Sequence, residues 1–151
     1  IDGRLIGGWF VENTNGYVGS TNKIGSYWST HLAFAYDGID PRLIVVSIGD
    51  FGGEAKQFAV KGNSPDPAYV GVPTGQVKYE LVQIDYIVEG TGANWNRVSF
   101  AKGIKAIGTG GVEGAVLVQM ISDRKIKVEA FPGKSASEVS GFTGTAKIYE
   151  R

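Results

Sequence analysis

The feature that most constrains the fold of this chain is the alternation of apolar and polar residues at every second position along most of its length. Such alternation is typical of β-strands, because successive side chains of a strand point to opposite faces of the sheet. Clusters rich in Gly, Pro, Asn and Asp separate these segments at intervals of roughly 8–14 residues. The predicted strands are Arg4–Val11, Ser26–Asp37, Arg42–Gly49, Ala55–Lys61, Gln76–Glu89, Arg97–Gly108, Ala115–Ile121, Lys125–Phe131 and Thr145–Glu150.

Many short strands with short connections predict an all-β, antiparallel domain. From Gln76 onward the predicted strands follow each other directly, as in a meander, and a meander closes easily into an up-and-down barrel. We therefore predict a single antiparallel, up-and-down β-barrel domain over residues 1–151, of about 8–10 strands. A β-sandwich is the alternative. The 23 glycines are scattered without a period, which fits many tight turns.

The charge balance argues against several classes of partner. The chain has 15 basic and 15 acidic residues and a formal net charge of zero. Proteins that bind nucleic acid normally have a basic face, and proteins that depend on anionic lipid normally cluster cations, so we predict neither partner. No apolar run reaches the ~18 residues of a transmembrane helix. A chain that begins at Ile1 is expected to be a processed product, which is compatible with a secreted or periplasmic protein.

The residue types available for chemistry are few. Cysteine is absent and His31 is the only histidine, which excludes disulfides and argues against zinc. There is no Gly-x-Ser-x-Gly elbow, and the glycines of "IGTGGVEG" miss the dinucleotide-binding spacing, so this segment predicts a hairpin loop. We therefore predict no metal and no cofactor, and favour a protein without enzymatic activity.

One hairpin can be registered from the sequence. If Asp123 and Arg124 form a two-residue turn, Gln119 lies opposite Val128 on an otherwise apolar face. Gln119 would then be the one polar group on the inner wall, with backbone, water or a ligand as its hydrogen-bond partner. The other pairs of this face are Ile121–Ile126 and Leu117–Ala130.

The two ends of the chain resemble the calycins, the superfamily of lipocalins and intracellular fatty-acid-binding proteins. "LIGGWFV" resembles their Gly-x-Trp first strand, with Gly7 and Trp9 at the motif positions. "AVLVQMISDRKIKVEAF…GTAKIYER" resembles the last three strands of the fatty-acid-binding branch. The glycine-rich segment 12–25 has no helical pattern, whereas that branch places two helices there.

The resemblance implies that Lys147 and Tyr149 point into the barrel and hold the carboxylate or hydroxyl of a ligand, with Gln119 as a third contact. Lys147 stands where the family mostly has Arg, so a point charge replaces a planar clamp. It also implies that Arg151 stacks on Trp9 and closes the barrel. Alternation alone leaves the opposite orientation of the last strand open, with Lys147 and Tyr149 in solvent.

The sequence therefore leads to one expected function and two alternatives. We expect non-enzymatic binding of a small, largely apolar ligand with an acidic or hydroxyl head group inside the barrel, through Lys147, Tyr149, Gln119 and His31. The alternative is a secreted or surface recognition protein that contacts carbohydrate or protein through aromatic loops, with no internal ligand. A barrel enzyme that uses His31 is a lesser alternative, against a structural or exposed histidine. The loop aromatics are Trp28, Trp95 and Tyr69.

Overall fold

The computed structural model of this protein describes residues 1–14, 16 and 27–151, except for the side chains of Tyr27 and Trp28. Eight antiparallel strands form a closed barrel in which each strand pairs with the next and the last pairs with the first. This confirms the predicted all-β, up-and-down barrel. The strands are β1 (Gly7–Val11), β2 (His31–Tyr36), β3 (Ile44–Phe51), β4 (Glu54–Val60), β5 (Gln76–Val88), β6 (Ile104–Ser122), β7 (Lys125–Pro132) and β8 (Lys147–Glu150), and an α-helical turn spans Tyr27–Thr30.

Side chains fill the inside of the barrel. Alternate residues of each strand point inward, as Leu32 and Phe34 do on β2, and together twenty buried apolar residues form one cluster. Leu5 and Val70 join this cluster from the segments that precede β1 and β5. Because protein interiors are packed as closely as organic crystals, a ligand in the middle of the barrel would have to displace these side chains.

The hairpin of β5 and β6 is longer than the barrel wall and folds back on the outside of the barrel. Residues 76–81 of β5 belong to the wall, whereas residues 83–88 pair with residues 104–109 of β6, and Ile87 also forms a bridge with Asn94. We call residues 83–109 the arm. Where the arm meets the wall, a second apolar cluster forms on the outer face of the sheet. It consists of Leu43, Val45, Ala59, Val82 and Ala106, flanked by Ala35, Ile84 and Tyr86.

The glycine-rich segment "IGTGGVEG" lies within β6, so the prediction of a hairpin loop between two strands is wrong. The register of β5 and β6 shifts here, and residues 110–113 have no partner on β5. Gly110 has a φ of 75°, which suits glycine and lets the strand bulge. Gly108 lies so close to the wall that a Cβ would come within 2.7 Å of Val82 Cγ2. These glycines bend the arm and let it lie against the barrel.

The predicted register of the β6–β7 hairpin is also wrong. Met120 pairs with Ile126 and Ser122 pairs with Lys125, so Ile121 is an extra residue in the ladder. A one-residue bulge of this kind exchanges the two faces of the strand on its far side. Gln119 consequently lies on the outer face of the barrel wall, and the inward residues of β6 are Val116, Val118 and Met120.

Two buried carboxylates attach the arm to the turn between β2 and β3. The Tyr86 hydroxyl donates to Asp37 at 2.6 Å, and the Ala106 amide donates to Asp40 at 2.9 Å. Arg42 Nε also donates to Asp40, at 2.7 Å. The hydrogen bond from Arg42 is the main cause that lowers the pKa of Asp40 to about 2, against the effect of burial.

Gly108→Val is expected to lower the free energy of unfolding by about 1–3 kcal/mol, because the new side chain would overlap Val82 and Ala59. Chemical denaturation measures this. Gly111→Val is the matched control, since a Cβ there meets nothing within 4 Å. An equal loss in both variants would contradict the close approach of the arm to the wall.

Acidification from about pH 4 to pH 2 is expected to destabilise the fold in part through Asp40. The pKa of Asp40 is lower in the folded protein than its ordinary value of 3.8. Its stabilisation is therefore complete above the unfolded-state pKa and is lost as the pH falls through the folded-state pKa. Asp40→Asn should reduce the slope of stability against pH in this range. Equal slopes in wild type and Asp40→Asn would refute this role.

Candidate functional site

A cavity of about 240 Å³ opens at the end of the barrel where β3 ends and β8 begins. We call it the barrel mouth. Its walls are both apolar and polar, so it offers packing surface together with hydrogen-bonding groups. The apolar walls include Ile48, Val128 and Ala130, and the polar groups include Asp50, Lys147 and Tyr149.

The mouth exists because β8 is shorter than β7. Pairing between these strands reaches Val128 and Lys147, whereas β7 continues to Pro132 without a β8 partner. The turn between β3 and β4 lies over this gap, close enough that a Cβ on Gly52 would be 3.5 Å from Pro132. The cavity is thus the space between the end of β7, the start of β8 and this turn.

Tyr149 points into the barrel and is 3% exposed. Burial, with a smaller contribution from the Asp50 carboxylate, raises its pKa to about 12, so the phenol is neutral at physiological pH. Within the described residues its hydroxyl makes no hydrogen bond, and the oxygen itself is not fully buried, so it faces the opening of the mouth. The mouth therefore contains an unengaged hydrogen-bond donor and acceptor.

Lys147 lies at the rim of the same cavity, with about half of its side chain exposed. Its Nζ donates to Asp50 Oδ2 at 3.1 Å. This hydrogen bond is the main cause that lowers the pKa of Asp50, against partial burial. The mouth thus holds a cation and an anion side by side, within reach of a ligand that also meets Tyr149.

The other two predicted ligand contacts do not reach the mouth. Gln119 lies outside the barrel wall because of the bulge at Ile121, opposite Gln76 on β5 and Lys127 on β7. His31 begins β2 on its outer side, where its Nε2 is 3.3 Å from Ser47 Oγ. The structure therefore brings together Lys147 and Tyr149 but neither Gln119 nor His31.

Arg151 and Trp9 are in contact. The guanidinium carbon lies 3.8 Å from the centroid of the indole ring, which is fully buried. Arg151 also donates to the carbonyls of Ile6, at 2.9 Å, Ile1, at 2.7 Å, and Arg4. The last residue of the chain is thus bound to the segment that leads into β1.

The three loop aromatics differ in their surroundings. Trp95 is half-buried, its Nε1 donates to the Ser99 carbonyl at 2.9 Å, and its ring meets Tyr86 edge-on. Tyr69 is 80% exposed. Trp28 belongs to the helical turn before β2, and its side chain is outside the described part of the chain.

No family model, curated protein sequence or solved structure matches this chain. The closed eight-strand barrel is compatible with a calycin-like fold. Across residues 1–14, 16 and 27–151, no group of three or more His, Asp or Glu side chains could hold a metal ion. Within the same ranges no helix is long and apolar enough to span a membrane.

Sequence reasoning missed Asp50. It belongs to "GDFGG", which resembles an ordinary turn, and its partner Lys147 is 97 residues away. The signal that could have indicated an acidic partner was Lys147. A cation on the inward face of the last strand requires a counter-charge nearby.

Lys147→Met is expected to raise the pKa of Asp50, since the hydrogen bond from Lys147 is the main cause that lowers it. Carbon-detected NMR titration of the carboxyl groups measures this directly. The effect on stability should be under about 1 kcal/mol, because the pair is partly exposed. Lys56→Met, which removes the exposed partner of Glu54, should leave the pKa of Asp50 unchanged. An unchanged pKa in Lys147→Met would show that the pair does not form in solution.

Proposed function

We propose that this protein is a non-enzymatic, calycin-like barrel that binds a compact, partly apolar molecule with an acidic or hydroxyl head group at the barrel mouth. The observation that carries the proposal is the Tyr149 hydroxyl, which faces the mouth from a largely buried side chain and has no hydrogen-bond partner among the described residues. A ligand that covers the mouth removes this hydroxyl from water, and its head group supplies the hydrogen-bond partner that the hydroxyl then needs.

The size of the mouth restricts the ligand. Its volume of about 240 Å³ is below the ~300–1,000 Å³ of pockets for drug-sized molecules. A long acyl chain would extend into space that Ile48, Val128 and the rest of the core cluster occupy. The proposed ligand class is therefore a single small ring or a short branched chain with one head group.

The polar groups of the mouth suit either head group. The neutral phenol of Tyr149 donates to a carboxylate or hydroxyl oxygen, and the ammonium of Lys147 adds a charge-assisted bond to a carboxylate. A ligand carboxylate would compete with Asp50 for Lys147. A ligand hydroxyl would accept from Tyr149 and donate to Asp50, and would leave the ion pair in place.

Recognition of carbohydrate or protein through aromatic loops is the second candidate function. The observation that favours it is Tyr69, whose ring is almost entirely in contact with solvent. Aromatic side chains in this position supply contact area to partners at interfaces. Tyr69→Ala would abolish such recognition and would leave binding at the mouth unchanged.

Titration of the isotope-labelled protein with benzoate and with benzyl alcohol tests the mouth. Amide resonances of Gly52, Ala130 and Lys147 should shift with a saturable dependence, because these residues line the cavity. Tyr149→Phe should weaken binding by about threefold to tenfold, the worth of one hydrogen bond. Tyr79→Phe is the matched control, since its hydroxyl already donates to the Pro65 carbonyl.

Two results would contradict the proposal. The first is the absence of any shift at the mouth for every compact acid and alcohol of a small fragment set. The second is unchanged affinity in Tyr149→Phe, because the ligand would then bind without a hydrogen bond to the Tyr149 hydroxyl.

A further inference from the structure

The outer end of the arm is a loop, residues 90–103, that we call the tip. Two of its apolar side chains lie in solvent: Phe100 is 96% exposed and Val98 is 89% exposed. Single exposed apolar residues are common, but two within three positions on a protruding loop form a patch. The rest of the tip is also exposed, apart from the half-buried Trp95 and Ala101.

Hydrogen bonds hold the tip in one conformation. Asn96 Oδ1 accepts from the amides of Val98, at 2.9 Å, and Ser99, at 2.8 Å. Trp95 ties the same loop to the arm, since its amide donates to the Tyr86 carbonyl at 2.9 Å and its Nε1 donates to the Ser99 carbonyl. The side chains of Val98 and Phe100 are therefore exposed on a loop whose conformation is fixed by hydrogen bonds.

The tip is cationic in a chain whose net charge is zero. The tip contains Arg97 and Lys102 and no Asp or Glu, and Lys105 follows it at the start of β6, so the charge over residues 90–108 is +3. The nearest acidic residue in the sequence, Glu89, is paired with Arg42 at 2.8 Å. Although the net charge of the whole chain is zero, the tip combines positive charge with exposed apolar side chains.

We propose that the tip docks on the surface of a lipid bilayer that contains anionic lipid, with Phe100 and Val98 inserted at the headgroup boundary. A bilayer offers an anionic surface above an apolar layer, and the tip combines cations with apolar side chains that extend from the fold. The cationic side chains can keep their charged ends at the headgroups while their stems lie along the apolar layer. This inference does not depend on the function proposed for the mouth.

Charge complementarity favours the bilayer over a protein partner. A protein pocket for Phe100 and Val98 would need acidic groups around it at matching positions, whereas an anionic bilayer attracts Lys102 and Lys105 however the protein is rotated about the bilayer normal. The Arg97 guanidinium, which lies 4.7 Å from the centroid of the Tyr86 ring, adds its charge from within the loop. Trp95 is a half-buried residue of the tip itself, and tryptophan is enriched at the level of lipid headgroups. With two apolar side chains and three cations, the association is weak, reversible and dependent on salt.

Co-sedimentation with vesicles tests the proposal. Vesicles of phosphatidylcholine with about one-third phosphatidylglycerol should bind the protein at low salt, and pure phosphatidylcholine vesicles should bind it much less. Phe100→Ala should lower the partition coefficient by about tenfold or more, through lost apolar burial. Tyr69→Ala, which removes an exposed aromatic outside the tip, is the matched control and should bind as wild type.

The charges are tested separately. Lys102→Gln with Lys105→Gln should lower binding by about tenfold at low salt and should weaken its dependence on salt. Circular dichroism should show an unchanged fold, since neither lysine forms a salt bridge to a described residue. The proposal is overturned if wild type stays in the supernatant with the anionic vesicles at low salt, or if Phe100→Ala binds as wild type. A partner protein that binds the tip, with no vesicle binding, would also overturn it.

Discussion

The contact between Arg151 and the start of the chain is the interaction on which the rest of the structure depends. Among the described residues the ladder between β1 and β8 has two registered pairs, Phe10–Glu150 and Val11–Tyr149, so it is a short seam in the barrel. The stacking of Arg151 on Trp9 and its bonds to three carbonyls extend this seam beyond the ladder. Gly7 has a φ of 121°, and a Cβ there would come within 2.9 Å of Arg151 Nη1, so the seam also requires glycine at that position.

Closure decides where a ligand can be. Once β8 lies between β7 and β1, Tyr149 points inward, and the large side chains of the other strands occupy the space around it. Because β8 begins only at Lys147, β7 has no β8 partner beyond Val128. The result is a shallow opening beside the Lys147–Asp50 pair. Carriers of long acyl chains need a deep lumen instead.

The sequence supports the fold class more strongly than the register. Alternation and turn residues predict an all-β barrel, because period two is a property of every strand. The faces of β6 are not predictable in the same way, because Val116, Leu117 and Val118 are all apolar and alternation does not show which of them points inward. The arm adds a second source of ambiguity, since it covers the outside of β3 and makes Val45 as buried as its inward neighbour Val46.

Strand β3 separates the two proposed sites. The arm is bound at Asp40, just before this strand begins, and Asp50 stands at its far end, beside the mouth. Eight residues of strand span roughly 23 Å, close to the full height of such a barrel. A protein bound to a bilayer through its tip would thus have the mouth on the side that faces bulk water. Small solutes could enter and leave the mouth by diffusion while the protein stays on the bilayer.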